Sequence, residues 1–126
     1  MTTPMCPYCS KKANRAWGRH IWPDRPELAE KHIWRCLQCS AYVGCHGDTW
    51  APLGTLANLE TRRERMKTHK EFDPLWKSGT MSCSEAYLRL SKLIGIPIER
   101  CHIAMFTAEE CKSARTAIQT LRTLFL

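Results

Sequence analysis

Cys6-Pro7-Tyr8-Cys9 and Cys36-Leu37-Gln38-Cys39 constrain this chain more than any other feature. They are two Cys-x2-Cys pairs with 26 residues between them. Two intervening residues let one tight turn present both sulfurs from the same side. Two such turns supply the four thiolates that tetrahedral zinc takes at about 2.3 Å. A disulfide pair or a redox motif is the plainer alternative. The spacing and the β-like stretch between the pairs favour one structural Zn2+ held by Cys6, Cys9, Cys36 and Cys39. Four thiolates fill the coordination sphere and leave no position for a reactive water. The metal therefore holds structure, and lets a short β-rich segment fold with little core of its own.

The length, 126 residues, suits one domain, or a small zinc module with a helical partner. No apolar run approaches the 18 or so residues of a membrane span, so no membrane association is expected. The first five residues lack the basic and apolar regions of a signal peptide. Eight cysteines without such a signal point to a reducing, cytoplasmic setting, where thiols serve metals or cores.

The formal charge of +7 favours an acidic partner, nucleic acid first. Its distribution tempers this. Residues 1–50 carry seven Lys/Arg against four Asp/Glu; residues 51–78 and 79–126 each carry six against four. Even spreading is also what a solvated surface gives.

Along the chain, residues 13–22 read as a strand. Trp17, Arg19 and Ile21 fall on one face; Gly18, His20 and Trp22 fall on the other. Pro23 and Pro26 interrupt it, with one helical turn expected over 27–30. Residues 31–35 resume a strand into the second knuckle, and Tyr42 and Val43 continue out of it. A helix is expected from Asn58 as N-cap to about Phe72, with Leu59, Arg62, Met66, His69 and Phe72 along one stripe. Pro74 should stop it and bias Asp73 away from helical geometry. Residues 77–80 are the expected hinge. Ser82 and Thr107 open two further helices, each with a Glu three residues on. The first carries Ala86, Leu90, Leu93 and Ile94 and ends at Gly95. The second carries Cys111, Ala114, Ile118, Leu121 and Phe125. The fold class is thus α+β: an N-terminal zinc ribbon over 1–50 and a helical region of about three helices over 51–126, packed as one unit.

Two surfaces suit nucleic acid. On the ribbon, Lys11, Lys12, Arg15 and Arg19 interleave with Trp17 and Trp22, so that basic groups hold phosphate and rings stack bases. On the central helix, Arg62, Arg63, Arg65, Lys67 and Lys70 can track a backbone. Buried tryptophans, and a solvated helix face with Glu60–Arg63 and Glu64–Lys67 pairs, are the equally weighted plain alternatives. Cys45-His46 and Cys101-His102, with His69 between them, raise a second metal site. The ligand spacings match no standard motif, so Cys45, Cys83, Cys101 and Cys111 are expected to pack as small hydrophobes. His46, Asn58 and His69 follow the order of a His-Asn-His nuclease, but Asn58 sits where a helix cap belongs. No catalytic set is assigned.

The run Trp34-Arg35-Cys36-x-x-Cys39-x-Ala41-Tyr42-Val43-Gly44-Cys45-His46, followed by Pro52-Leu53-Gly54-Thr55-Leu56-Ala57, resembles a small zinc-finger-containing domain family of bacteriophages and prophages. The resemblance continues through Arg62, Arg65, His69, Phe72-Asp73-Pro74-Leu75-Trp76 and Glu85-Ala86-Tyr87 to His102-Ile103-x-Met105-Phe106. It departs over 80–84, where a basic residue is expected. It implies zinc and a phage or prophage origin, in the cytoplasm of a bacterial host, but no mechanism. Its polar members, His46, Arg62, His69, Asp73 and His102, suggest either a buried network or a pocket.

These observations lead to a zinc-stabilised binding protein contacting nucleic acid or a host nucleoprotein complex. An inhibitor of a host defence or transcription complex is the second expectation, and a metal-dependent nuclease using His46, His69 and His102 the third. Oligomeric state is not readable.

Overall fold

The structure, a computed structural model, describes residues 3–126 and divides into two compact units, one through Leu59 and one from Glu60 to Leu126. The fold class is α+β, a zinc ribbon followed by helices, as the sequence leads one to expect.

The first unit is built on a three-stranded antiparallel sheet in the order β1-β2-β3: Asn14–Trp17, His32–Cys36 and Ala41–Gly44. Arg15 lies opposite Trp34 and Trp17 opposite His32, while Trp34 faces Val43 on the other side. Paired residues share a face. One face therefore carries Arg15, Trp17, His32, Trp34, Cys36, Ala41 and Val43. Trp34, Cys36, Ala41 and Val43 form its core with Cys6, Ala13 and Leu56. The segment after β3 folds back onto the ribbon through bridges from Cys45 to Pro52 and from Tyr42 to Ala57. This is why the first unit extends to Leu59.

The strand expected over 13–22 stops at Trp17. Gly18–Ile21 is a single helical turn, α1, whose first residue presses against the 26–31 loop. A Cβ on Gly18 would stand 1.7 Å from the Leu28 carbonyl oxygen, and the Gly18 amide donates to the Lys31 carbonyl at 2.8 Å. Only glycine permits that approach. The face assignments of Arg19, His20, Ile21 and Trp22 therefore fail. The neighbouring turn is 3₁₀, over Pro26–Leu28 rather than 27–30, because proline suits the first position of a helical turn.

The second unit contains the long helices α2 (Leu59–Phe72), α4 (Cys83–Ile94) and α5 (Ala108–Phe125), with a one-turn helix α3 (Pro74–Lys77) between the first two. Asp73 is helical, at φ −58° and ψ −35°, contrary to expectation. Its amide still bonds the His69 carbonyl, and Pro74 opens the next turn instead of ending the chain's helical course. Ser82 and Thr107 cap α4 and α5 as expected, accepting from the Glu85 and Glu110 amides. Gly95, at φ 73°, closes α4 in the left-handed conformation.

The core of this unit combines Phe72, Leu75, Leu90, Ile103, Phe106, Ile118 and Leu121 with Cys101 and Cys111, all nearly inaccessible. Burial pushes the Cys101 thiol up to about 11 and raises Cys111, so both pack as small hydrophobes as expected. Cys45, half-buried, packs against the core of the first unit, while Cys83 is exposed, which corrects the expectation for that residue.

The expected stripe on α2 holds only at Phe72. Met66 is 71% exposed and Leu59 50%, and beside Phe72 the helix buries Thr61, Glu64 and Thr68 instead. Arg115 on α5 explains this polarity. It sits 2.9 Å from Glu64 Oε2 and donates to the Glu64 carbonyl and to Thr68 Oγ1, at 3.4 and 3.3 Å. Arg65 ties the same helix to the α5 entrance by donating from Nε to the Phe106 carbonyl at 2.9 Å. A buried polar face is tolerated when its groups are paired in this way.

Candidate metal centre and binding surfaces

Each Cys-x2-Cys turn ends on a serine in the left-handed region. Ser10 has φ 62° and Ser40 φ 52°, each immediately after the second cysteine of its pair. In the first turn the Ser10 amide bonds the Cys6 carbonyl and the Cys6 amide bonds the Lys11 carbonyl, both at 2.8 Å. In the second, the Ser40 amide reaches the Leu37 carbonyl at 3.3 Å. The two turns share the left-handed serine but not the hydrogen-bond pattern, the Ser10 amide reaching four residues back and the Ser40 amide three, and their sulfurs converge on a common centre.

The four Sγ atoms lie within 4.8 Å of one another, and Cys9 Sγ is 3.7 Å from Cys36 Sγ. A regular tetrahedron with Zn–S of 2.3 Å has edges of about 3.8 Å. A disulfide would need about 2.05 Å. The donors therefore fit zinc and not a bridge. Their acidities diverge: the Cys39 backbone amide draws Cys36 down, while Cys39 is pushed up to about 12 by burial and by its three neighbouring thiols. Four thiolates held this close together need a compensating positive charge. A divalent cation supplies it. One structural zinc is the cofactor of this chain, with Cys6, Cys9, Cys36 and Cys39 as its ligands.

Beside the metal centre, on the same sheet face, the aromatic side chains converge. The His32 and Trp50 rings stack at 4.1 Å, and Trp17 meets both edge-on, at 4.9 and 5.6 Å. Trp34, buried, donates its indole N–H to the Trp50 carbonyl at 2.8 Å. The Arg15 guanidinium lies 4.7 Å from the Trp50 ring centre and 5.5 Å from that of Trp34. Trp22 stands apart, edge-on to Tyr42 at 5.8 Å. Trp50 comes from the loop after β3, where no periodicity marks it, and was not legible as a member of this surface.

The basic residues of this unit divide in two. Arg19 pairs with Glu30 at 2.5 Å and Arg25 with Glu27 at 3.2 Å. Lys11 bonds the neutral Gln38 side chain, and Arg15 and Lys12 are exposed with no ion pair to a described carboxylate.

In the second unit, Arg62 is half-buried, Arg63, Lys67 and Lys70 are exposed, and Arg65 is spent on the Phe106 carbonyl. Lys67 lies 3.6 Å from Glu64. Lys67 and Lys70 line a groove of about 500 Å3 with Glu71 and three residues of α5: Arg115, Gln119 and Arg122. Those three recur at steps of four and three along a face distinct from the buried Cys111, Ala114, Ile118 and Leu121. That spacing was the available sequence signal, and it was missed.

Of the suggested pocket residues, His46 lies in an exposed turn of the first unit, where its backbone bonds Ala51 and Thr49. In the second unit, His69 Nδ1 is 3.2 Å from Asp73 Oδ1, and the His102 ring packs 5.0 Å from Tyr87. Burial pushes the Tyr87 hydroxyl up to about 12. Among the described residues, the four cysteines are the group of side chains placed to hold a metal. No described helix is long and apolar enough to cross a membrane.

A β-ribbon closed by four thiolates, joined to a helical unit, defines a zinc-finger class of protein. Residues 2–121 match the zinc-finger-containing domain family, and the chain belongs to it. No curated protein and no solved structure gives a significant match.

Proposed function

We propose that this is a zinc-stabilised binding protein of phage type, working in the cytoplasm of a bacterial host, that contacts nucleic acid or a nucleoprotein complex. Arg15 carries this reading. Its guanidinium is held over two indoles, exposed, with no ion pair to a described carboxylate. A cation fixed beside the half-buried Trp50 ring offers a phosphate contact and a stacking surface together, the combination used by sequence-tolerant single-strand binders. Lys11 and Lys12 extend the positive edge, while the unit's acids at Glu27 and Glu30 are occupied by Arg25 and Arg19. On the second unit, taken by itself, Arg62, Arg63, Lys67 and Lys70 offer a further set of backbone contacts.

The test is fluorescence anisotropy of a labelled single-stranded 20-mer at low salt. Arg15→Ala should weaken binding about tenfold, roughly the 1.4 kcal/mol expected of a desolvated cation–π and phosphate contact, with zinc content unchanged. Equal binding by the variant removes the ribbon face from the interface. No binding by the wild type overturns the proposal.

A protein partner, such as a host defence or transcription complex that this chain would inhibit, is the second reading. Leu37 at the second knuckle is 70% exposed and Met5 before the first is 51% exposed, an apolar edge that suits a protein surface. Stoichiometric co-purification with such a complex, lost in Leu37→Asp, would favour it.

A further inference from the structure

The groove between α2 and α5 holds two kinds of arginine. Arg115 is enclosed by acceptors: Glu64 Oε2 at 2.9 Å, Glu71 Oε2 at 3.8 Å, Thr68 Oγ1 and the Glu64 carbonyl. Its charge is offset where it stands. Arg122 is held differently. Its Nη1 donates to the Glu71 backbone carbonyl at 2.8 Å, a neutral acceptor that fixes the side chain and leaves its charge in place. No described carboxylate forms an ion pair with Arg122 or with Lys70 across the groove. Lys67 and Gln119 complete the rim.

We infer that this groove is a phosphate-binding site, in which Arg122 and Lys70, with Lys67 and Gln119, take consecutive phosphate oxyanions of a polyphosphate or phosphodiester chain. The inference deepens the nucleic-acid reading, on which its phosphodiester form rests. A positioned guanidinium loses little freedom on binding, and its fork matches two phosphate oxygens. Arg115 and Arg122 are two helical turns apart, about 10.5 Å along α5. Consecutive phosphates of one strand lie farther apart than the axial rise of about 3.4 Å per duplex residue, so this length admits roughly two of them. Arg115 anchors the floor through Glu64, and Lys67 and Lys70 on α2 form the opposite wall. The amide of Gln119 contributes uncharged donors between the two arginines.

The experiment is an NMR titration of the zinc-loaded, 15N-labelled full chain with a ten-residue oligothymidylate and, separately, with inorganic tripolyphosphate. Saturable shifts at Lys67, Lys70, Gln119 and Arg122 in both arms, lost in Lys70→Glu while shifts at Arg15 persist, are the expected result. Shifts with tripolyphosphate alone support the groove as a polyphosphate site and overturn the nucleic-acid reading. Shifts confined to the ribbon with the oligonucleotide, and none with tripolyphosphate, overturn the groove and leave that reading standing. No shifts in either arm overturn both. Lys70 is exposed, so the variant reports on binding without disturbing the core.

Discussion

Arg115 on α5 lies 2.9 Å from Glu64 on α2, and this pair sets which face of α2 is buried. The Arg115 guanidinium holds the Glu64 carboxyl below the usual carboxylate range. The folded value lies under the unfolded one, so the contribution is complete above the ordinary carboxylate pKa. It is lost as pH falls through the folded value. Glu64→Gln should therefore be less stable than wild type at pH 7, and the gap should narrow on acidification. Urea titrations followed at the Leu90 and Ile118 methyl signals, which report the second unit, check this. A gap that stays constant or widens contradicts it.

Removing zinc should unfold the first unit. Structural zinc sites contribute roughly 10–16 kcal/mol of apparent binding energy at neutral pH, far more than a ribbon with this small a core supplies alone. Chelation, or Cys36→Ser, should abolish the strand amide pattern over Asn14–Trp17 and Ala41–Gly44. Cys45→Ser should keep both zinc and pattern, since Cys45 packs against the core cluster and is outside the ligand set. Metal analysis beside NMR separates the two variants.

The serines that end the knuckles are a second point of leverage. An L-residue in the left-handed region costs about 1–2 kcal/mol, and glycine avoids it at an entropic cost of about 0.5–1 kcal/mol. Ser40→Gly should be neutral to slightly stabilising, by up to about 1 kcal/mol. Ser40→Val should destabilise by more than about 1 kcal/mol, because a β-branched residue resists that region. Zinc affinity by competition with a chromophoric chelator reads both. Equal behaviour of the two variants would contradict the assignment of strain.

Gly18→Ala should destabilise the first unit by about 2–3 kcal/mol, the upper range for overpacking. The added carbon meets backbone, the Leu28 carbonyl, and not a side chain that can rotate away. Thermal unfolding of the zinc-loaded chain measures it. A loss below the roughly 0.5 kcal/mol typical of a surface change would show that the 26–31 loop yields freely.

What was legible in the sequence was local. The zinc ligands follow from two short spacings, and the caps at Ser82 and Thr107 and the stop at Gly95 follow from residues three or one positions away. The face of α5 could be read because its apolar period is regular. The face of α2 could not, because its burial depends on Arg115, 51 residues from Glu64. The end of β1 was hidden for the same reason: Gly18 reads as a strand residue until the Leu28 carbonyl is placed against it. Trp50 joins the aromatic face only through the fold-back of the loop after β3. Single residues in irregular segments carry no period to reveal them.

The salt dependence of binding to a labelled single-stranded 20-mer tests the central claim most directly. Contact with about four phosphates predicts that log K falls linearly with log salt at a slope near −3 for a single strand. A slope indistinguishable from zero, or no binding at 50 mM salt (the low end of about 50–200 mM over which such contacts weaken), would contradict the account.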